Sequence, residues 1–345
     1  MAIPAQSLPI GQKLENGWIV IEKLTKSNTS TGGKFSAGYK VEKNGKFAFL
    51  KAFDFSSALN SSNQLEALKI QLDCYLFEKE LLEYCKGQHL NKIVLPIDSG
   101  KITINGFTPV FGDVYYIIFD IAQGDIRKIY SFDKVDFPFI FSSLHNIAVG
   151  INELHSKNIA HQDIKPSNAL VFDDYTKISD IGRASALHKP FIYDSYPCAG
   201  DRNYMAPEQK YGYHTNNDFS DRFAADMFCF GSLFFFYFFN MSLSSLFETY
   251  FMMHGVVLTN DFNNDLPFWI RIFDMILYQT NEKLKDYMKE ESANMIIRMI
   301  KELCYPDPHY RGHHKNVKQG FSQYDFQRFI SELDILANKA KGKML

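Results

Sequence analysis

The octapeptide from His161 to Asn168 constrains the fold of this chain more than any other stretch. It places the carboxylate of Asp163, the ammonium of Lys165 and the carboxamide of Asn168 within six residues, and Pro166 stiffens the segment between them. Short apolar runs that are typical of buried strands stand directly before and after it. Acidic, basic and amide groups on a stiff loop between two such runs indicate positioned chemistry.

The composition limits the class of protein. The chain has 345 residues, 46% of them hydrophobic, which is enough for two domains or for one large bilobal domain. Its formal net charge of −2 argues against nucleic acid or an anionic membrane as a principal partner. The five scattered cysteines include no C-x-x-C spacing, so they give little support for a zinc site and are typical of reduced thiols in a cytoplasmic protein.

We expect neither a signal peptide nor a membrane span. The first six residues lack a basic segment followed by an apolar run. The run from Met227 to Phe239 has 13 residues, fewer than the roughly 20 apolar residues that a bilayer requires. This run is therefore predicted to form a buried central helix.

Hydrophobic periodicity changes near residues 120–125, from a strand-rich front to a helix-rich back. Strand patterns occupy Trp18–Ile21, Tyr39–Glu42, Lys46–Lys51, Ile93–Leu95 and Val114–Phe119, with Asn44-Gly45 as a hairpin turn. A helix from about Gln64 to Cys85 has one broad apolar face, made by Leu68, Leu72, Leu76, Leu81 and Leu82. Later helical stripes contain Leu144, Ile147, Ile151 and Leu154, then Phe326, Phe329, Ile330, Leu333 and Leu336. This order predicts an α+β protein with two lobes.

The form H-x-D-[LI]-K-P-x-N of the octapeptide resembles the catalytic loop of eukaryotic-type (Hanks-type) Ser/Thr protein kinases. Asp180-Ile181-Gly182 is similar to the metal-binding D-F-G of that family, with isoleucine in place of phenylalanine. Ala206-Pro207-Glu208 is similar to its A-P-E. The resemblance covers roughly residues 18–336 and identifies a divergent member.

The resemblance implies an α+β, bilobal protein-kinase-like fold. Residues 1–121 would form a small nucleotide-clamping lobe, with an antiparallel β-sheet and one main helix. Residues 122–345 would form a larger, mostly helical lobe that carries the catalytic loop and docks the substrate. Glu208 would form a buried pair with Arg311, and Asp226 would anchor the backbone of the catalytic loop. The two lobes would make one kinase domain.

The resemblance also implies transfer of the ATP γ-phosphate to Ser or Thr hydroxyls of protein substrates, with Mg²⁺ or Mn²⁺. Asp163 would orient the acceptor hydroxyl and accept its proton, and Lys165 would neutralise the transferring phosphoryl group. Asn168 and Asp180 would bind the metal, since Mg²⁺ prefers oxygen ligands. Taken alone, Asp163 could instead be a loop aspartate in an Asx-turn, an alternative that its neighbours disfavour.

Lys51 ends an apolar strand run and resembles the phosphate-binding lysine of the small lobe. On local evidence it could equally be an edge-strand lysine that extends its ammonium to water. Glu78 precedes paired leucines on the predicted helix, as the family's partner for that lysine does. Glu80 is the alternative partner, but it is turned by about 200° from Glu78 around the helix, so only one of them can face the site. We favour Glu78.

The nucleotide pocket implied by the resemblance is mostly apolar. Its members are Gly33 and Phe35 in the glycine-rich loop, Ile118 as gatekeeper, Phe119 and Ile121 in the hinge, Asp125 near the ribose and Leu170 as the floor. The apolar members could equally be ordinary core. The glycine-rich loop is the weakest match, and Gly38 stands where the family has the valine that covers adenine.

Two positions near the catalytic loop depart from the family pattern. Gln162 replaces an arginine that in many members binds a phosphorylated activation-loop residue, and glutamine cannot make that charge-assisted pair. We therefore expect an activity that does not require activation-loop phosphorylation. Asp201 stands where Ser/Thr kinases usually have threonine; it could pair with Lys165 or alter substrate choice.

Two alternative functions remain open. One is a catalytically weak pseudokinase that acts as a nucleotide-binding scaffold, which the altered glycine-rich loop, Gln162 and Asp201 would favour. The other is a small-molecule phosphotransferase of the aminoglycoside or choline kinase type. The retained lysine, glutamate, aspartates and asparagine disfavour the first, and the A-P-E motif with Arg311 disfavours the second.

Overall fold

The computed structural model describes residues 4–24, 36–107, 112–173, 175–215, 219–313, 315–316 and 322–345. Within these ranges a five-stranded antiparallel sheet with one long helix precedes a mainly helical lobe. The predicted α+β, bilobal architecture is confirmed. Gly33 and Phe35 lie outside the described residues.

The small-lobe sheet has the strand order β1-β2-β3-β5-β4. Its strands are β1 (Ile19–Leu24), β2 (Ser36–Lys43), β3 (Lys46–Phe53), β4 (Pro96–Thr103) and β5 (Asp113–Asp120). Asn44 and Gly45 join β2 to β3 with φ angles of 53° and 80°, the two left-handed residues of a type I′ hairpin turn. The predicted Asn-Gly hairpin is confirmed.

An N-terminal segment covers the outer face of this sheet. Leu8, Leu14 and Trp18 are buried against sheet residues such as Tyr39 and Ile118. The Tyr39 hydroxyl donates to the carbonyl of Ala5 at 2.9 Å, which fixes the start of the segment on the sheet. Periodicity predicts nothing for residues before Trp18, because the segment contains only a short 3₁₀-helix and irregular backbone.

The main small-lobe helix, α1 (Gln64–Gly87), begins at Asn63, whose side chain accepts from the N–H of Glu66. Its buried positions are concentrated in the second half of the helix, at Tyr75, Phe77, Glu78, Leu81, Leu82 and Cys85. Three positions of the predicted face are not buried: Leu76 is 38% exposed, and Leu68 and Leu72 are only half-buried. The first half of α1 projects beyond the core, so leucine spacing alone misplaces its contact face.

The run Ile93–Leu95 is not a strand of the small-lobe sheet. Ile93 forms an isolated parallel bridge with Ile178, and the N–H of Val94 donates to the carbonyl of Ile178 at 2.7 Å. This contact links the connection after α1 to the large lobe. The adjoining sheet strand, β4, begins at Pro96.

The large lobe contains short strands and eight α-helices within the described residues. The strands are β6 (Gly124–Asp125), β7 (Ile159–Ala160), β8 (Ala169–Phe172), β9 (Tyr175–Ile178) and β10 (Ser185–Ala186). The helices are α2 (Ile126–Ile129), α3 (Phe137–His155), α4 (Pro207–Tyr211), α5 (Ser220–Phe239), α6 (Leu243–Met253), α7 (Phe262–Lys285), α8 (Glu290–Cys304) and α9 (Gln327–Lys341). Helix α9 packs along α3, and α8 packs along α5.

Helix α5 is the centre of the large lobe. Among the described residues it is the one helix long and apolar enough to cross a membrane, and 78% of that stretch is buried inside the lobe. This burial agrees with the predicted central helix. The predicted stripe of α3, from Leu144 to Leu154, is likewise buried.

Helices α6 and α7 occupy most of residues 239–291, a stretch whose sequence resembles no motif of the family closely. Asp265 accepts from the Tyr211 hydroxyl at 2.9 Å, and the indole N–H of Trp269 donates to the same hydroxyl at 2.9 Å. Tyr211 ends α4, so these contacts connect α7 to the helix that carries Glu208.

We predict that the N-terminal segment contributes to stability. Leu8→Ala should lower the free energy of unfolding by about 2–3 kcal/mol, because Leu8 is buried and the substitution leaves a cavity. The measurement is chemical denaturation followed by fluorescence. Ile10→Ala is the matched control: Ile10 is 62% exposed, so its loss should change stability little. Equal effects of the two substitutions would contradict the packing described above.

Candidate active site

Asp226 of α5 anchors the backbone of the octapeptide loop. Its carboxylate accepts from the backbone N–H of His161 at 2.6 Å and of Gln162 at 2.7 Å, and it lies 3.0 Å from Nε2 of His155. Gln162 has a φ of 64°, a conformation that non-glycine residues adopt only where their surroundings enforce it. The buried carboxylate of Asp226 provides that constraint.

The buried imidazole of His161 links the loop to the strand that precedes Asp180. Its Nδ1 accepts from the N–H of Asp163 at 3.2 Å, so its Nε2 is the donor to the carbonyl of Ser179 at 3.1 Å. The N–H of Ser179 in turn donates to the carbonyl of Asn168 at 2.8 Å. The two acidic segments of the site are therefore fixed relative to each other.

Asp163, Lys165 and Asn168 meet within hydrogen-bonding distance. Oδ2 of Asp163 lies 3.0 Å from Nζ of Lys165, and the amide nitrogen of Asn168 donates to the same Oδ2 at 3.0 Å and to the Asp163 carbonyl at 2.8 Å. Burial raises the pKa of Asp163, and the ammonium of Lys165 opposes that rise. An ionised carboxylate in this position is a hydrogen-bond acceptor for a substrate hydroxyl.

Asp201 takes the first of its two predicted alternatives in this structure. Its Oδ2 lies 3.5 Å from Nζ of Lys165, and its backbone N–H donates to Oδ1 of Asp163 at 2.8 Å. Burial alone would lower the pKa of Lys165, but Asp163 and then Asp201 outweigh burial and raise it. Lys165 is therefore a fixed positive charge between two carboxylates.

Lys51 joins α1 to the segment that follows β9. Its ammonium lies 2.7 Å from Oε1 of Glu78 and 3.0 Å from Oδ1 of Asp180. Burial opposes the charge of Lys51, but the two carboxylates outweigh it and raise its pKa. The pKa of Asp180 is lowered mainly by Lys51, whereas burial raises that of Glu78. Glu80 instead pairs with Lys189, so Glu78 is the glutamate that faces the site.

The residues after Asp180 explain how the D-x-G motif fits. Asp180 adopts a left-handed conformation, with φ 62° and ψ 65°, which directs its carboxylate towards Lys51. Ile181 is fully buried in the core, so an apolar side chain fills the position that phenylalanine has in the D-F-G motif. A Cβ on Gly182 would lie 2.8 Å from Oε2 of Glu78, so a side chain there would press on the carboxylate that pairs with Lys51.

Asn168 and Asp180 are suited to hold a hard cation. The amide nitrogen of Asn168 is used by Asp163, which leaves its carbonyl oxygen as the ligand atom. The side chain of Asp180 is 39% exposed to the cleft. No group of three His, Cys, Asp or Glu side chains placed to hold a metal occurs in the described ranges. One carboxylate and one amide match a magnesium site completed by phosphates and water.

A cavity of about 590 Å³ connects these groups. Its lining includes Lys51, Glu78, Asp163, Lys165, Asp180 and Asp201. Phe55, Tyr193 and Tyr196 supply apolar surface around the charged groups. The structure thus brings the predicted catalytic residues and Asp180 to one cleft, together with Asp201. Asn168 is not part of this lining and reaches it through its hydrogen bond to Asp163.

The predicted nucleotide residues fit less well, and the gatekeeper prediction is wrong. Ile118 belongs to the cluster on the outer face of the sheet, under the N-terminal segment. Its neighbours Ile117 and Phe119 belong to the cluster on the other face, towards α1 and the large lobe. Because side chains alternate along a strand, Ile118 cannot face the same cleft as Lys51, which pairs opposite Ile117.

The remaining nucleotide residues lie near the connection between the lobes. Ile121 is 40% exposed just after β5, and Leu170 is half-buried on β8. Asp125 is occupied by a neighbour: Arg127 donates to both of its carboxylate oxygens at 2.9 Å, and Asp125 also caps α2. A ribose contact at Asp125 would have to compete with this ion pair.

Arg222, which sequence reasoning missed, holds the segment between Asp180 and Glu208. Its guanidinium donates to the Ser185 hydroxyl at 2.7 Å and to the carbonyl of Asp194 at 2.8 Å. The side chain of Gln162 donates to the carbonyl of Arg222 at 3.0 Å, so Gln162 is part of the same support. The sequence offers one weak signal, an arginine four residues before Asp226 in a helix that is mostly apolar.

The same segment is fixed at two further points. The Phe191 ring stacks on Phe77 of α1 with 4.3 Å between ring centroids. At the far end, Glu208 forms two hydrogen bonds with Arg311, at 2.6 and 2.8 Å, and both side chains are buried. The predicted Glu208–Arg311 pair is therefore present, and it is the kind whose single-sided loss leaves an uncompensated charge.

Comparison with known proteins agrees with this geometry. A family model described as "Protein kinase domain" matches residues 33–320. The chain is 36% identical over 103 residues to the mitosis inhibitor protein kinase SWE1 of Candida albicans (28% of this chain, 9% of the relative). It is 35% identical over 104 residues to a probable serine/threonine-protein kinase of Clostridium acetobutylicum (29% and 16%). It is 36% identical over 127 residues to serine/threonine-protein kinase par-4 of Caenorhabditis elegans (34% and 19%). Each match spans less than a fifth of the relative's own length.

We predict that Arg222 orders the segment from Ser185 to Asp201. Arg222→Ala should accelerate amide hydrogen exchange there by about tenfold or more, because each hydrogen bond to a charged donor contributes roughly 1.5–3 kcal/mol. Exchange followed by mass spectrometry gives the measurement. Arg202→Ala removes the same charge from an exposed position in the neighbourhood and should leave exchange unchanged. Unchanged exchange in Arg222→Ala would contradict this role.

Proposed function

This chain belongs to the protein kinase domain family, and on that premise we propose that it transfers the γ-phosphate of ATP to Ser or Thr hydroxyls of protein substrates. One observation carries the proposal: Lys51, Glu78 and Asp180 form one connected ion-pair group, and that group lines the same cavity as Asp163 and Lys165. A phosphate clamp and an acceptor-orienting carboxylate at one cleft are what phosphoryl transfer requires of a protein.

Each residue has a defined task in this proposal. Lys51, positioned by Glu78, binds phosphate oxygens of the nucleotide. Asp163 accepts the hydrogen bond of the substrate hydroxyl and takes its proton as the new phosphoester bond forms and the bond to the leaving diphosphate breaks. Lys165, held between Asp163 and Asp201, stabilises negative charge on the transferring group.

Asn168 and Asp180 would hold Mg²⁺, or Mn²⁺, in the same proposal. When bound, the metal would neutralise charge between the phosphates. Asn168 is fixed for this purpose by its hydrogen bonds to Asp163, and Asp180 by its ion pair with Lys51. The preference of hard cations for oxygen ligands supports the assignment.

The choice of Ser or Thr rests on the sequence Lys165-Pro166 after the catalytic aspartate and on the printed names of two relatives, which are serine/threonine-protein kinases. Tyrosine kinases of this fold have a different sequence at that point. A polypeptide acceptor, rather than a small molecule, is supported by the A-P-E segment and its buried pair with Arg311.

We also propose a cytoplasmic location. All five cysteines are free thiols, and three of them, Cys85, Cys229 and Cys304, are buried. Burial raises the pKa of all three, so they remain protonated and unreactive near neutral pH. Free thiols throughout the chain are compatible with a reducing compartment.

The direct test is transfer of labelled phosphate from ATP to a generic protein substrate. Asp163→Ala and Asp180→Ala should each lower the rate by roughly 10²-fold or more, because one removes the proton acceptor and the other a metal ligand. Asp133→Ala is the matched control, since Asp133 is exposed and lies outside the cavity lining. Its rate should equal that of the unchanged protein.

The other outcomes of this assay identify the rival functions. Nucleotide binding without transfer to any acceptor would indicate a scaffold. Transfer to aminoglycosides or choline alone would indicate a small-molecule phosphotransferase. Label on protein that persists in both aspartate variants would mean that the phosphate comes from elsewhere and would refute the proposal.

A second prediction concerns regulation. Protein treated with a phosphatase should keep its transfer rate within about twofold, because Arg222 and Phe191 hold the segment after Asp180 through contacts that involve no phosphate. Intact-mass measurement before and after treatment verifies that phosphate has been removed. If the transfer rate is lost on dephosphorylation and returns on rephosphorylation, the activity depends on phosphorylation even though glutamine stands at position 162.

A further inference from the structure

The cleft face of the small-lobe sheet has an unusual pair of residues beside Lys51. Phe49 and Lys51 lie on the same face of β3, because side chains alternate along a strand. The residue of β2 directly opposite Lys51 is Gly38. Phe49 is half-buried and packs against the cluster that contains Phe119. An aromatic ring and a glycine therefore adjoin the lysine that binds phosphate in the proposed function.

The ring of Phe49 occupies the space that a side chain at Gly38 would need. A Cβ built on Gly38 would lie 2.9 Å from Cε2 and 3.3 Å from Cζ of Phe49. The φ of Gly38 is not in the left-handed region, so its backbone conformation does not demand glycine. A larger residue at this position would have to displace the phenyl ring, which already fills the place of its side chain.

The ring also lies on the side of Lys51 where a nucleobase must go. In phosphoryl transfer the acceptor and the leaving group are roughly in line, on opposite sides of the transferred phosphoryl. The acceptor side is the cavity of Asp163 and Asp201, whose lining does not include Phe49. In the other direction β3 runs from Lys51 past Phe49, opposite Phe119, to Ala48, opposite Asp120 at the end of β5.

We infer that the ring of Phe49, seated on Gly38, is the roof on which the nucleobase stacks. The ring replaces the aliphatic cover that Gly38 cannot supply, so the two residues act as one unit. Phe49 is thereby a specificity-determining residue for the nucleotide. The inference rests on the proposed use of a nucleotide, but it concerns binding of the base and not transfer of phosphate.

A double-mutant cycle on the full chain tests this unit. The variants are Phe49→Ala, Gly38→Val and the combination of both, and the probe is ADP with Mg²⁺, titrated by calorimetry. Inorganic tripolyphosphate is titrated in parallel because it occupies the phosphate subsite without a base. Phe47→Ala is the matched control: Phe47 is on the same strand and face but is 46% exposed, beyond the proposed roof.

Phe49→Ala should weaken ADP binding by about tenfold or more, the range measured for loss of one base–aromatic stack. Gly38→Val should weaken it similarly, because a valine there forces the ring down into the cleft. The double variant should bind within about threefold of the unchanged protein, since valine then covers the base. Tripolyphosphate binding should stay constant in all variants, and Phe47→Ala should bind ADP normally. Melting temperatures measured without ligand identify any variant that fails to fold. If Gly38→Val alone fails to fold, the comparison of Phe49→Ala with the double variant still tests the inference.

Three results would overturn the inference. Phe49→Ala could leave ADP affinity unchanged or increase it, which would make the ring a bystander or an obstruction. The double variant could be as weak as the product of the two single effects, which would mean that the residues do not act as a unit. The unchanged protein could bind no ADP. If the variants show the expected ADP affinities but the protein transfers no phosphate, the proposed kinase function is refuted, whereas the role of Phe49 in binding the base is retained.

Discussion

The catalytic loop depends on one buried carboxylate, that of Asp226. A buried carboxylate is stable only where hydrogen-bond donors surround it. Around Asp226 these are two backbone N–H groups and a histidine. These contacts hold Gln162 in a conformation that it would otherwise avoid, and the resulting turn places Asp163 at the cavity. Since Asp226 belongs to the most buried helix of the lobe, the geometry of the active site is set by the large apolar core.

The remaining support of the site comes from both lobes through a few specific contacts. Lys51 connects the small-lobe sheet to α1 through Glu78 and to the large lobe through Asp180. Phe191 and Arg222 fix the following segment against α1 and α5, one by ring stacking and the other by charge-assisted hydrogen bonds. Neutral and charged contacts internal to the chain thus together hold the segment after Asp180 in place.

Sequence reasoning performed best where local chemistry determines the structure. The Asn44-Gly45 hairpin, the stripe of α3 and the grouping of Asp163, Lys165 and Asn168 all follow from short-range patterns. It failed at Ile118, because a strand that is apolar on both faces has no alternation that tells which residue faces which side. It also missed Arg222, whose role appears only when α5 and the segment after Asp180 are brought together.

The covered outer face of the small-lobe sheet has a consequence for the order of folding. Every member of its buried cluster comes from residues 5–118, the first third of the chain. This half of the small lobe can therefore complete its packing on the ribosome before the catalytic loop has been synthesised. The ion pair between Lys51 and Asp180 joins residues 129 positions apart and can form only later. Assembly of the active site then requires this later segment to dock onto the sheet.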